Sequence, residues 1–444
     1  LVTKRIGAIV GEANVLAGEG VKAYAVDGLI PEAVVFPGSV EELSEVMTFA
    51  SEERLAVIPW GGGTAMGLGG IPERVDLIVS LKRLNRIIEH EPADLTASVQ
   101  AGITLRDLQA FLGRRGQFLA LDPPYPERAT VGGILAANKS GPRRLRYGSA
   151  RDLLIGIKVV QADGRVIKGG GKVVKNVTGY DLNKLFIGSL GTLGIIVEAN
   201  FKLLPLPVDE RTYLAPFPSV EIAQEAVRKI LDSPLVPSAL EIVSPVAGRM
   251  VAEQVGLEWW GSYALAISVG SVREAVDAQL GTLRRLCKEV GSPQGEVLEG
   301  QLHTALWAAI QDFAPSGRQR ATLKASVLLT KVPEVIRVGQ EAATKRALGC
   351  AVIASAGSGI VRFYLNGNGV PEAFAQKVTE MAETVRAFIF QSEGSLIILD
   401  APPEVKRRID VWGPVGKPLA LMQALKTEFD PQRILNPGRF VGKI

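Results

Sequence analysis

Pro59-Trp-Gly-Gly-Gly-Thr-Ala-Met-Gly-Leu-Gly-Gly70 follows an apolar, strand-like run at residues 55–59 and places six glycines in ten residues. Without a Cβ, such a loop can take positive φ and turn successive backbone N–H groups toward an anion. A pyrophosphate suits that geometry. A flexible surface loop is the plain alternative, and the loop alone does not choose between them.

Two other phosphate loops do not fit. Gly61 and Gly63 are followed by Met66 where G-x-G-x-x-G requires glycine, and Gly171-Lys172 is followed by Val173 where a P-loop requires Ser or Thr. No G-x-S-x-G elbow occurs, and His90 and His303, the two histidines, leave little material for a nucleophilic triad. Hydrolytic chemistry is disfavoured.

Outward from the loop, residues 34–204 alternate strand-like runs with short helices. Ser39-Val-Glu-Glu42 offers a helix cap with a closing glutamate, and Val40, Leu43, Val46, Met47 and Ala50 mark one helical face. Thr104-Leu-Arg-Asp107 opens a second helix above Leu108 and Leu112; strands are expected at 55–59, 77–80, 97–100, 155–161 and 195–204. Pro205-Leu-Pro207 and Pro216-Phe-Pro218 lack periodicity and read as a rigid linker, placing a first domain at 1–207 and a second at 208–444. Beyond the linker, strands precede helices three times: 263–269 before a helix capped by Ser271 and Glu274, 323–329 before Pro333, and 360–365 before Pro371. That order predicts an antiparallel sheet with helices on one face, and an α+β chain overall.

A length of 444 residues calls for at least two cores, and the 47% hydrophobic and 22% charged fractions are those of a globular protein. No stretch reaches the roughly 18 apolar residues of a membrane span. Ile6-Gly-Ala-Ile-Val-Gly11 is cut off by Glu12, too short for the apolar centre of a signal peptide, so a cytoplasmic location is the expectation. Cys287 and Cys350 are too few for a disulfide framework or for an iron–sulfur cluster, which takes about four cysteines. A net charge of +4 without a basic, aromatic-interleaved run speaks against nucleic acid.

A second glycine-rich stretch, Ala129-Thr-Val-Gly-Gly-Ile-Leu-Ala-Ala-Asn-Lys-Ser-Gly141, leads into Arg146-Tyr-Gly-Ser-Ala-Arg-Asp152. A third comprises Asn176-Val-Thr-Gly-Tyr-Asp181 and Gly188-Ser-Leu-Gly-Thr-Leu-Gly-Ile-Ile196. In this order the three stretches resemble the FAD-binding domain of the FAD-linked oxidase family, the vanillyl-alcohol oxidase or PCMH type, whose domain has two subdomains and is followed by a cap. Asp400-Ala-Pro-Pro403, Asp410-Val-Trp-Gly413, Ser140-Gly-Pro-Arg-Arg144 and Phe429-Asp-Pro-Gln-Arg-Ile-Leu-Asn-Pro-Gly438 are similar to the smaller FAD-binding subunit of bacterial glycolate oxidase. The resemblance implies that Pro59, Gly61, Gly62, Gly63, Thr64 and Gly67 wrap the FAD pyrophosphate. It further implies that Thr130, Gly132, Gly133, Asn138 and Gly141 lie along pyrophosphate and ring, and that Gly191, Gly194 and Ile196 lie near adenine and ribose. It returns residues 417–444 to the flavin domain, with Asn436 either near the ring or in a plain turn. Asn138 also reads as a helix C-cap. The matched loops carry no His or Cys, so FAD is expected to be non-covalent.

Metal-dependent members of the family bind a 2-hydroxy acid through paired histidines and a Glu-His pair. The matching segments here, Ala354-Ser-Ala-Gly-Ser-Gly-Ile-Val-Arg362 and Ser392-Glu-Gly-Ser395, contain no histidine, and no metal is expected. Lys324 matches a basic position that binds the substrate carboxylate in some relatives, with Arg318 and Arg320 just upstream; a solvent-facing lysine on an alternating strand is the other reading. The resemblance implies an FAD-binding subunit of a multi-subunit 2-hydroxy-acid dehydrogenase, partnered by an iron–sulfur subunit and a second FAD-linked oxidase subunit and peripheral to the inner membrane through them. A free-standing dehydrogenase is the alternative. Arg143, Arg144, Arg146 and Arg151 offer a docking surface, a solvated face or phosphate contacts.

Overall fold

The computed structural model of the chain describes residues 2–171, 181–315, 317 and 319–444, so Asn176-Val-Thr-Gly-Tyr180 and Arg318 lie outside the described residues. The chain divides into two compact units. Leu1–Ser140, Ser149–Leu206 and Pro414–Ile444 form the first; Gly141–Gly148 and Pro207–Gly413 form the second.

The first unit holds two main sheets. One runs in the order Val15–Ala17, Ala33–Val35, Leu77–Ser80 and Val57–Trp60, its last three strands parallel. Parallel neighbours need a crossover, and helix Val40–Glu52 provides the one between Ala33–Val35 and Val57–Trp60. The helix buries Leu43, Val46, Met47 and Ala50, and its cap Ser39 accepts from Glu42 N at 3.1 Å. Glu42 does not return to Ser39: Arg83 lies 3.5 Å from its carboxylate, which accepts instead from Gly38 N at 2.6 Å. The other sheet is antiparallel, ordered Ile87–Glu91, Thr96–Gln100, Ile195–Lys202, Leu154–Val160, Val166–Gly170. Thr104 caps helix Leu105–Gly113 as expected, accepting from Asp107 N at 3.1 Å.

The second unit is an eight-stranded antiparallel sheet in the order Glu296–Leu298, Asp209–Phe217, Tyr263–Ser271, Ala239–Val243, Gly349–Ser355, Ile360–Gly367, Gln319–Ser326, Ser395–Asp400. Helices Val220–Leu231, Arg273–Glu289, Val332–Lys345 and Pro371–Phe390 cover one face, packing on Leu265, Ile267, Leu323, Ala325, Val361 and Phe363. The expected α+β class and antiparallel cap sheet are what the fold shows. The second face is covered in part as well: Pro245–Val255 and Gly300–Gln311 pack on Val243, Ala264, Ala266 and Ile353. The central strands are apolar at successive positions, so both of their faces need burial.

Two local expectations are corrected. Pro216-Phe-Pro218 is no linker: Pro216 and Phe217 end a strand that pairs with Tyr263–Ser271. The neighbour on the other side reaches only Thr212 to Leu214, so Pro216 sits past the last pairing that would require its missing N–H on that edge. Ser271 does not cap the next helix either. The strand runs on through it, and the helix starts after Val272 with no side-chain cap. Among the described residues no helix is long and apolar enough to cross a membrane.

Candidate functional site

In the first unit a solvent-open cleft of about 460 Å³ lies over the glycine loop. Pro59, Gly61, Gly62, Gly63 and Thr64 line it from that loop, Thr130 and Gly133 from the start of helix Val131–Ala137, and Asn436 and Arg439 from the C-terminal segment. The glycines are fixed by contact on their other side. A Cβ on Gly62 would sit 1.6 Å from Arg128 O, one on Gly61 2.2 Å from Thr130 Oγ1, and Gly63 holds φ 72°. The loop is pressed against residues 128–130, so its backbone faces the cleft.

Nothing in the local sequence singles out Arg439, which stands three residues after Asn436. Only 3% exposed, its Nη2 donates to Met66 O and Leu68 O at 2.6 Å each, and its Nη1 to Asn436 Oδ1 at 3.4 Å. Burial pulls its pKa down to about 10, against the field of Asp27, so the guanidinium stays charged at neutral pH. Asn436 has φ 49°, and its side chain donates to Leu190 O. Beneath this turn, Lys426 Nζ donates to Asp430 Oδ2 at 2.6 Å, Thr192 O at 2.9 Å and Leu435 O at 2.9 Å, while Asp430 accepts from Ile434 N and Leu435 N. Burial lowers the Lys426 pKa and Asp430 opposes it. The pair ties the third glycine stretch to the segment that carries Asn436 and Arg439. A backbone-lined cleft with one buried guanidinium fits the pyrophosphate of FAD.

The remaining residues assigned to FAD do not line this cleft. Gly67 belongs to the same loop without facing the space. Gly132 packs on Ala101, where a Cβ would approach to 2.8 Å, and Gly194 packs on Val159, at 2.4 Å. Gly191, with φ 70°, rests on Pro59, and Ile196 is buried in its strand. Asn138 takes φ 47° and closes helix Val131–Ala137, the C-cap of its other reading. Gly141 is buried in the second unit.

In the second unit Lys324 stands directly across from Arg362 on the neighbouring strand. Leu323, Ala325, Val361 and Phe363 point into the helix-covered core, so Lys324 and Arg362 share the opposite face. Arg362 Nη1 donates to Ser355 Oγ at 3.2 Å. Burial, then Arg362 and Arg144, pull the Lys324 pKa down to about 8. Arg320 is exposed at the far end of the same strand, across from Asn366, so Lys324 keeps company with Arg362 and Arg144 instead. The histidines are engaged elsewhere: His303 Nδ1 with Thr212 Oγ1 at 2.8 Å and His90 Nε2 with Gln117 Oε1 at 2.9 Å. Arg143 pairs with Glu210 at 2.7 Å, Arg146 donates to Gly270 O and Arg151 to Lys184 O. Among the described residues no three His, Cys, Asp or Glu side chains are grouped to hold a metal. Arg362 does not fit such a centre, since a guanidinium offers donors only.

Comparison with known proteins agrees with this geometry. The FAD binding domain family matches residues 31–170, and the family of FAD linked oxidases, C-terminal domain, matches 206–397 and 412–440. The glycolate oxidase subunit GlcD of Bacillus subtilis is 30% identical, the match covering 93% of this chain and 90% of that protein. A D-lactate dehydrogenase of Archaeoglobus fulgidus is also 30% identical, covering 93% and 91%. Among solved structures, p-cresol methylhydroxylase superposes with a TM-score of 0.77 at 18% identity, covering 99% of this chain and 96% of that one, which speaks to the fold alone. The chain belongs to the FAD-linked oxidase family and is an oxidoreductase whose cofactor is FAD.

Proposed function

We propose that the chain is the FAD-binding subunit of a multi-subunit 2-hydroxy-acid dehydrogenase of the glycolate type, acting in electron relay or assembly. Its partners on this reading are an iron–sulfur subunit and a second FAD-linked oxidase subunit, and it meets the inner membrane only through them. One observation carries the reading: Ser355 and Arg362 bond to each other in the segment where metal-dependent relatives carry imidazoles. The Arg362 guanidinium has no lone pair for a metal, the Ser355 hydroxyl is held by it, and neither side chain takes the hydroxyl proton at neutral pH. Bound FAD supplies two-electron acceptance and one-electron release. The chain's own part is to hold it: the glycine loop presents backbone donors to the pyrophosphate, and Arg439 adds the charge. Onward transfer needs another chain, because the thiols of Cys287 and Cys350, pushed up to about 12 by burial, are too few for a cluster. The isolated, FAD-replete chain should turn over glycolate, D-lactate and D-2-hydroxyglutarate poorly with a dye acceptor, and native pull-down should recover both partners. Turnover of tens per second, inside the usual range of ~1–1000 per second, would overturn the reading.

A second reading is favoured by the facing cations Lys324 and Arg362: a free-standing, metal-independent 2-hydroxy-acid dehydrogenase, with those residues holding the substrate carboxylate. Rapid turnover in the same assay would select it.

A further inference from the structure

Between Gly62 and Leu68 the glycine loop treats its two kinds of backbone polar group differently. Four carbonyls are taken up within the chain: Ala65 O accepts from Leu68 N at 3.1 Å, Thr64 O from Lys139 Nζ at 3.0 Å, and Met66 O and Leu68 O from Arg439. Among the described residues, the only N–H of this stretch to find an acceptor in the chain is that of Leu68. The loop is left with donors to offer and few acceptors, the polarity an anion needs. Arg439 lines the cleft, but Lys139 does not. Asn138, at φ 47°, ends helix Val131–Ala137, and Lys139 N closes the turn on Ile134 O at 3.1 Å. A lysine just past a helix end ordinarily answers the last carbonyls of its own helix. This one reaches a carbonyl 75 residues away in the chain.

We propose that Lys139 is a positioning residue for the cofactor, acting through the Thr64–Ala65 peptide and not by touching the ligand. In a planar trans peptide the carbonyl and the following N–H point in opposite directions. Thr64 and Ala65 line the cleft, so a cation that draws the Thr64 carbonyl out of it turns the Ala65 N–H in, toward the pyrophosphate. Without the ammonium that peptide is free to rotate, and a carbonyl oxygen facing the phosphates would repel them. Gly63, at φ 72°, and Gly67 leave the backbone permissive on either side, which is why its peptides need to be held from outside. The role rests on this loop being the cofactor cradle.

FAD titrated into the apoprotein and followed by fluorescence should bind Lys139→Met roughly tenfold more weakly than the parent, the loss of about one well-aimed hydrogen bond. Lys139→Arg, which can still donate to Thr64 O, should keep most of the affinity. The ratio between the methionine variant and the parent should be the same at about 0.1 M and about 1 M salt, because orientation is not screened whereas a bare charge is, beyond roughly 10 and 3 Å respectively. The phosphorus NMR resonances of bound FAD should move in the methionine variant and return in the arginine one, and the apoproteins should melt together. Unchanged affinity, a loss that fades at high salt, no rescue by arginine, unmoved phosphorus resonances, or a methionine apoprotein that melts well below the parent would each overturn the role. Gly62→Ala separates this role from the cradle itself. Full flavin in that variant sinks the cradle, whereas flavin lost there while Lys139→Met binds as the parent does sinks the positioning role alone.

Discussion

The cofactor cleft of the first unit and the cationic face of the second are both suited to anions, and they are built in opposite ways. The cleft is mostly backbone: seven residues of one loop line it, and a side chain at Gly61 or Gly62 would collide with residues 128–130. The cap face is made of side chains on a rigid sheet, with charge concentrated at Lys324 and Arg362. A backbone site fails when its shape changes, and a side-chain site when its charge changes. Substitutions separate the two.

The largest effect belongs to shape. Gly62→Ala adds one methyl, yet that atom would fall 1.6 Å from Arg128 O, a backbone atom with nowhere to go, so the loop must move. The variant should purify without flavin while its circular dichroism stays that of the parent. Full yellow colour per mole of chain would show that the loop is not the cradle.

Next in size is the buried pair beneath the cleft. Lys426 and Asp430 are 2% and 0% exposed, so Lys426→Met strands a carboxylate in the interior and should cost about 3–5 kcal/mol in chemical denaturation. The loss should fall on flavin content too, because Lys426 also bonds Thr192 O and Leu435 O. Adding Asp430→Leu should recover part of the stability, since Ile434 N and Leu435 N then lose their acceptor, but no flavin. Recovery of both would mean that the pair does not position the cleft.

Smaller again is the charge inside the cleft. Arg439→Gln keeps a donor and removes the cation, and should weaken FAD binding by roughly tenfold in fluorescence titration of the apoprotein. Arg439→Lys keeps the cation and loses the fork that clasps Met66 O and Leu68 O. If the lysine variant binds FAD no better than the glutamine one, clasping the loop matters more than neutralising the phosphates.

The two sites were not equally legible in the sequence. Glycine density marks a backbone cradle by composition, and Ser39 and Thr104 announce their helices because capping is local. The same compositional signal could not separate glycines that line the cleft from Gly132 and Gly194, which are there for Ala101 and Val159. Those contacts span long stretches of chain. Arg439 and Lys426 were invisible for a related reason: a lone cation near a chain end reads as solvated until the fold buries it. Lys324 was singled out by resemblance, but its true company, Arg362, follows only from a strand register that periodicity does not supply. Pro216-Phe-Pro218 misled because proline marks the end of pairing on one edge as readily as it marks a linker.

The smallest predicted effect tests the cap face by titration. Lys324 has its pKa lowered from 10.5 to about 8, first by burial and then by Arg362 and Arg144, so the unfolded chain binds that proton more tightly than the folded one. Stability therefore rises with pH between those two values, and the penalty for carrying the charge is complete below about 8. Lys324→Met removes it. At pH 7 the variant should be more stable than the parent by about 1 kcal/mol, less than the shift alone converts to, because the side chain is partly exposed and screened. That corresponds to a melting temperature ~2–4 °C higher. The two proteins should converge as the pH rises past 10.5, above which the lysine is neutral in both states. Equal melting at both pH values would show that Lys324 is hydrated and that the face carries no electrostatic tension.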